Sequence, residues 1–167
     1  MVRGALAACI LGFLTATPGA QAASHDAELK RIEDSLKRLG PDATMKKYFG
    51  CDNDKAWSLI DSGDPRAVKI GLAFLPVADA CYSEVLSISL GYALTNNPIL
   101  MLGYQKDYPD AFPEWCVPGL IGPTQAEWTA AINKAEKAIK SVTDPKLDKA
   151  KQICLKQVAD SRKMTFD

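Results

Sequence analysis

Leu29, Ile32, Leu36 and Leu39 recur at three- and four-residue spacing with charged residues between them. That spacing predicts an amphipathic helix over 28–39, ended by Gly40-Pro41. Asp42 caps a short turn through Phe49, which Gly50 stops. Trp57 and Ile60 mark a helix from Asp54 to Ser62, closed by Gly63. Asp64-Pro65 is a start signal, a carboxylate N-cap followed by proline at the first helical position. Val68, Leu72 and Leu75 carry that helix to Pro76. Asp79 opens the most apolar helix, through Cys81, Val85, Leu86, Ile88, Leu90, Ala93 and Leu94, and Asn96-Asn97-Pro98 ends it. Ile99 to Tyr104 adds a short apolar segment.

Residues 105–123 hold Pro109, Pro113, Pro118, Pro123, Gly119 and Gly122. This is a long loop for a compact domain, so it is expected to be functional or tied down. Thr124 and Glu127 form a capping box. The helix they start runs to about Val142, with Trp128, Ile132, Ala135 and Ile139 on one face. Asp144-Pro145 repeats the cap-plus-proline start for a last helix to about Lys163, with Leu147, Ile153, Cys154 and Val158 inward. No alternating strand pattern exceeds four residues. The expectation is an all-α, small multi-helix domain of packed helical hairpins, because short connections between 54 and 95 favour antiparallel neighbours.

The first residues read differently. Arg3 precedes an apolar run from Ala5 to Leu14, Pro18-Gly19 breaks it, and Ala20-Gln21-Ala22 is a small-x-small cleavage sequence. Residues 1–22 are therefore expected to be a cleaved signal peptide, and 23–167 a single helical domain. The run of ten is too short to span a bilayer, and no stop-transfer stretch follows it. Leu6-Ala7-Ala8-Cys9 matches a lipoprotein box in letters only, since no apolar segment precedes it. Cleavage removes Cys9 and leaves Cys51, Cys81, Cys116 and Cys154. An even number in an exported chain reads as two disulfides with three possible pairings. Locality favours Cys51–Cys81 and Cys116–Cys154. Without a C-x-x-C or Cys-His cluster, a structural zinc site is poorly supported. The expected location is the periplasm or the exterior.

From Trp57 to Leu102 the chain resembles HEAT-like helical hairpins. It is similar there to exported all-helical bacterial proteins whose pattern runs Trp57, Ser62-Gly63-Asp64-Pro65, Asp79, Ser83-Glu84, Leu86, Ala93-Leu94, Asn97-Pro98. The resemblance covers under a third of the chain and implies an exported helical domain, with no activity attached. One such unit does not make a solenoid.

Hydrophobic residues make up 47% of the 167 and charged residues 24%, an ordinary globular composition. Twenty basic side chains balance twenty acidic ones, so the basic excess of a nucleic-acid binder is missing. The distribution is uneven. Residues 52–114 carry four basic and nine acidic side chains, while 124–167 carry nine and six. Several of the acids stand at predicted helix starts, where the helix dipole favours them.

Three groups of residues carry candidate chemistry. Cutting after Ala22 exposes Ala23, Ser24 and His25, the only histidine. A free amine, two deprotonated amides and an imidazole at the third position form a square plane suited to Cu(II) or Ni(II). Tyr104, Tyr108, Phe112 and Trp115 crowd the proline-rich loop ahead of Cys116. They are either anchors for a protein partner or small ligand, or cover for helix ends. Glu84, with Ser83 and Ser87 on the apolar helix, is a half-buried carboxylate in expectation and would serve a hydrolase with an acid from 107–114. No phosphate loop, G-x-S-x-G or zinc-protease motif is present. The balance of these readings is a binding or interaction module, inhibitor- or immunity-like, rather than an enzyme. Ser87 and Gly91, four residues apart, are expected to permit close helix packing.

Overall fold

The computed structural model describes residues 18–51 and 53–166. Among the described residues there are seven α-helices and no strands: α1 (Pro18–Tyr48), α2 (Asp54–Asp61), α3 (Pro65–Phe74), α4 (Ala80–Asn96), α5 (Pro98–Gly103), α6 (Gln125–Lys140) and α7 (Asp148–Ser161). The all-α expectation holds. Residues 1–17 of the expected leader lie outside the described residues.

α1 reaches further toward the amino end than the predicted 28–39, and it breaks where Gly40-Pro41 predict, with a second short arm to Tyr48. Its described part runs from Pro18 through alanines, the strongest helix formers. At its far end Gly40 adopts φ 79°, ψ 175°, which breaks the helix into two arms that continue as one element to Tyr48. Inside the bend the buried hydroxyls of Ser35 and Thr44 share a 3.1 Å hydrogen bond. Leu29, Ile32, Met45 and Phe49 are buried. Leu39, expected on the same face, is 45% exposed, because the helical face ends at the bend one residue later. The first arm lies on α3, where the Arg66 guanidinium donates to both Glu33 carboxylate oxygens at 2.8 Å and also pairs with Asp26. The bond from Arg66 holds the Glu33 carboxyl below the usual carboxylate range. Exposed pairs of this kind add under about 1 kcal/mol, so apolar burial holds the arm.

The caps read from the sequence are mostly present. The Asp64 carboxylate accepts from the backbone N–H of Arg66 and Ala67 at 2.8 and 3.1 Å. Thr124 and Glu127 complete their capping box. Asp79 differs: it precedes α4 without capping it, and Ala80 takes φ 40°. Asp144-Pro145 starts a 3₁₀ turn (Pro145–Leu147), and α7 begins only at Asp148.

The motifs of the Trp57–Leu102 stretch meet in space. Asn96 Nδ2 donates to the Asp61 carbonyl at 2.7 Å, and Asn97 Nδ2 to the Gly63 carbonyl at 2.9 Å. Gly63 has φ 73°, and a Cβ there would stand 2.7 Å from Asn97 Cβ. The α2–α3 corner is thereby fastened to the end of α4. Phe49 packs edge-on against Trp57 and Phe74, with centroids 5.0 and 5.1 Å apart. They join Ile60, Leu86, Leu90 and Leu94 in the core.

Two disulfides fasten the outer elements, in the pairing that locality favoured. Cys51–Cys81 joins the end of α1 to the start of α4, and Cys116–Cys154 joins a 3₁₀ turn (Phe112–Cys116) to α7. The long loop is tied down at a second place. Gly91 of α4 lies under the backbone of Pro118, and a Cβ at Gly91 would stand 2.7 Å from Pro118 Cα and 3.0 Å from the Val117 carbonyl oxygen. The expected close packing at Gly91 therefore exists, but its partner is a loop. Gly91→Ala should destabilise by about 1–3 kcal/mol through overpacking against backbone, read as a lower urea midpoint with an unchanged slope. No single helix among the described residues is long and apolar enough to cross a membrane.

Candidate functional site

α4 positions the site. Ala80, Ser83, Glu84, Ser87 and Ile88 follow the i, i+3, i+4, i+7, i+8 spacing of one helical stripe, and they form one wall of an open cleft of about 520 Å³. The loop supplies the second wall through Glu114, Val117, Gly119 and Leu120. Trp128 of α6 and Gln157 and Ser161 of α7 close the end. Trp128 is held in place by its indole Nε1, which donates to the Ser161 carbonyl at 3.0 Å, and by Phe166, whose ring lies 5.1 Å away. The volume is in the usual range for ligand sites.

The cleft's chemistry is one-sided. Glu84 and Glu114 are both exposed, and Ser83, Ser87 and Gln157 add neutral donors and acceptors. No lysine or arginine lines it. Apolar contact comes from Ile88, Val117, Leu120 and Trp128. Such a surface favours an occupant that brings a cationic group and a short apolar stem, since two carboxylates lack a counter-charge of their own.

The sequence candidates are distributed differently from expectation. Phe112 and Trp115 are fully buried, in contact with each other at 6.1 Å between centroids, and Trp115 also meets Tyr108 at 5.8 Å. The contact surface expected of Tyr104, Tyr108, Phe112 and Trp115 is therefore corrected. Two of the four are core, and only the half-buried Tyr104 and Tyr108 reach the surface. Burial pushes the Tyr104 phenol above its usual range. Glu84 is exposed rather than half-buried, which removes the low-dielectric surroundings that the hydrolase reading required. The structure does bring Glu84 and an acid of the 107–114 segment, Glu114, to the same cleft. Ser24 is exposed and His25 half-buried, and Ala23, Ser24 and His25 all lie within α1. Sequence reasoning missed Trp128, Gln157 and Ser161 as site residues. The available signal was the stripe of Ser83, Glu84 and Ser87 on α4, read from the sequence as candidate hydrolase chemistry, with Ser87 and Gly91 expected to permit close packing.

No protein-family model matches the chain, and neither a curated protein nor a solved structure does.

Proposed function

We propose that the protein is an exported binding module, inhibitor- or immunity-like, that uses the α4–α6–α7 cleft to hold a lysine- or arginine-bearing segment of a protein partner. The observation that carries this reading is the pairing of Glu84 and Glu114 in a cleft with no basic residue. The leader pattern and the two disulfides support an oxidising compartment, the periplasm or the exterior. A short tri-lysine peptide titrated calorimetrically should bind saturably, and Glu84→Lys with Glu114→Lys should weaken it about tenfold or more, the scale of one lost charge-assisted contact. Both residues are exposed, so melting should hold. Equal affinity in the charge-reversed protein would refute the reading. A turnover abolished by Glu84→Gln with unchanged melting would replace it with an enzyme.

A second reading concerns metal at the mature amino end. Cleavage after Ala22 would make Ala23, Ser24 and His25 the first residues of α1. The first N–H groups of a helix have no intrahelical acceptor, so these amides would be free to give up protons to Cu(II) or Ni(II). Copper titrated into the mature protein should produce a visible absorption band that His25→Ala abolishes. Identical spectra and affinities for the two proteins would end this reading.

A further inference from the structure

On a part of the molecule separate from the cleft, the end of α5 and the 3₁₀ turn that follows it (Tyr104–Lys106) face the start of α7. A depression of about 140 Å³ lies between them, edged by Gly103, Gln105, Lys106, Lys146, Lys149 and Ala150. Its composition is the reverse of the cleft's. Three lysines line it and no acid does. Lys106, Lys146 and Lys149 are exposed, and none takes part in the ion pairs among the described residues. Asp107, Asp144 and Asp148 neighbour them in sequence, yet none edges the depression, and Asp144 is occupied in accepting from the Lys146 backbone N–H at 2.9 Å.

Two further features face the same space. No side-chain hydrogen bond caps the amino end of α7; the Asp148 N–H there donates to the Pro145 carbonyl and Asp148 stands in the first turn, so the N–H groups that remain for an anion are those one and two residues further on. Gln105 is only 8% exposed and lines the depression. Its amide is thus a polar donor placed at the edge of the depression, within reach of an occupant. Gly103, with open space where a Cβ would stand, leaves the approach clear.

We propose that this depression is an oxyanion site that takes one tetrahedral phosphoryl or sulfate group, with the Gln105 amide and the α7 amino end donating from the base and Lys106, Lys146 and Lys149 closing around it. The volume suits a single such group and excludes a bulky ligand. The group reaches the site either as a free ion or as the headgroup of an anionic lipid.

The experiment uses the whole protein at constant ionic strength. Inorganic phosphate is titrated calorimetrically, and in parallel the protein is sedimented with phosphatidylglycerol or phosphatidylcholine vesicles. Native protein should bind phosphate saturably, or phosphatidylglycerol in preference to phosphatidylcholine. Lys106→Ala with Lys149→Ala should weaken that binding about tenfold or more. The control pair Lys134→Ala with Lys156→Ala, of equal charge change on exposed surface, should leave it intact. Gln105→Met should also reduce affinity while melting holds, because it keeps the volume of the side chain and removes only the donor. Phosphate binding identifies a free ion, and lipid binding without phosphate binding identifies a headgroup. Absence of both, or equal loss in the control pair, overturns the proposal.

Discussion

Replacing Cys116 and Cys154 together with alanine should lower the unfolding free energy by about 4 kcal/mol from chain entropy alone, on the loop-closure estimate. The bridge closes a separation of 38 residues, and both cysteines are fully buried. It is also the covalent link between the 3₁₀ turn that carries Phe112 and Trp115 and the α7 helix. Cys51–Cys81, with a separation of 30 residues, closes a loop of nearly the same entropic weight. It lies nearer the surface, with Cys51 half-buried and Cys81 exposed. The two double variants should therefore differ. Losing the inner bridge adds a packing defect to the entropic loss, while losing the outer one does not. Equilibrium urea curves of both variants beside the native protein measure the difference. An outer bridge costing as much as the inner one would show that Cys116 and Cys154 contribute no packing.

The second large effect falls on Trp115. Its side chain is 1% exposed and meets both Phe112 and Tyr108, so Trp115→Ala should cost about 3–5 kcal/mol, the usual range for emptying a buried aromatic site. Tyr108→Ala, at a half-buried position, should cost clearly less. Thermal melting followed by near-ultraviolet circular dichroism separates the two. If Trp115→Ala melted like the native protein, the segment 104–116 would be peripheral after all, and its aromatics would regain their standing as partner anchors.

These two cases show which physical signals are local and which are not. The starts at Asp64-Pro65 and Thr124 were legible because a cap involves residues two or three apart and little else. Asp144-Pro145 carries the same signal, but only a 3₁₀ turn follows, because the three residues after it do not reach α-helical bonding. The aromatic content of 104–115 was equally plain. Whether a ring faces inward depends on where the loop lies on α4 and α7, and that placement is set by Gly91 under Pro118 and by the inner disulfide. The cleft was the least legible feature. The stripe of Ser83, Glu84 and Ser87 has helical period on any reading, but the residues that complete it, Glu114, Trp128 and Gln157, come from three other elements. The same holds for Gln105, which meets Lys146 and Lys149 at one depression only once the chain has folded.

The order of the bridges has a consequence for biogenesis. Cys51–Cys81 lies wholly ahead of Cys116–Cys154 along the chain, so the two covalent loops neither cross nor nest. For a polypeptide threaded outward amino end first, the earlier pair emerges complete before either later thiol appears. For a chain exported in this way and freed of Cys9, an oxidase that couples cysteines in order of arrival would produce the native connectivity directly, without disulfide shuffling.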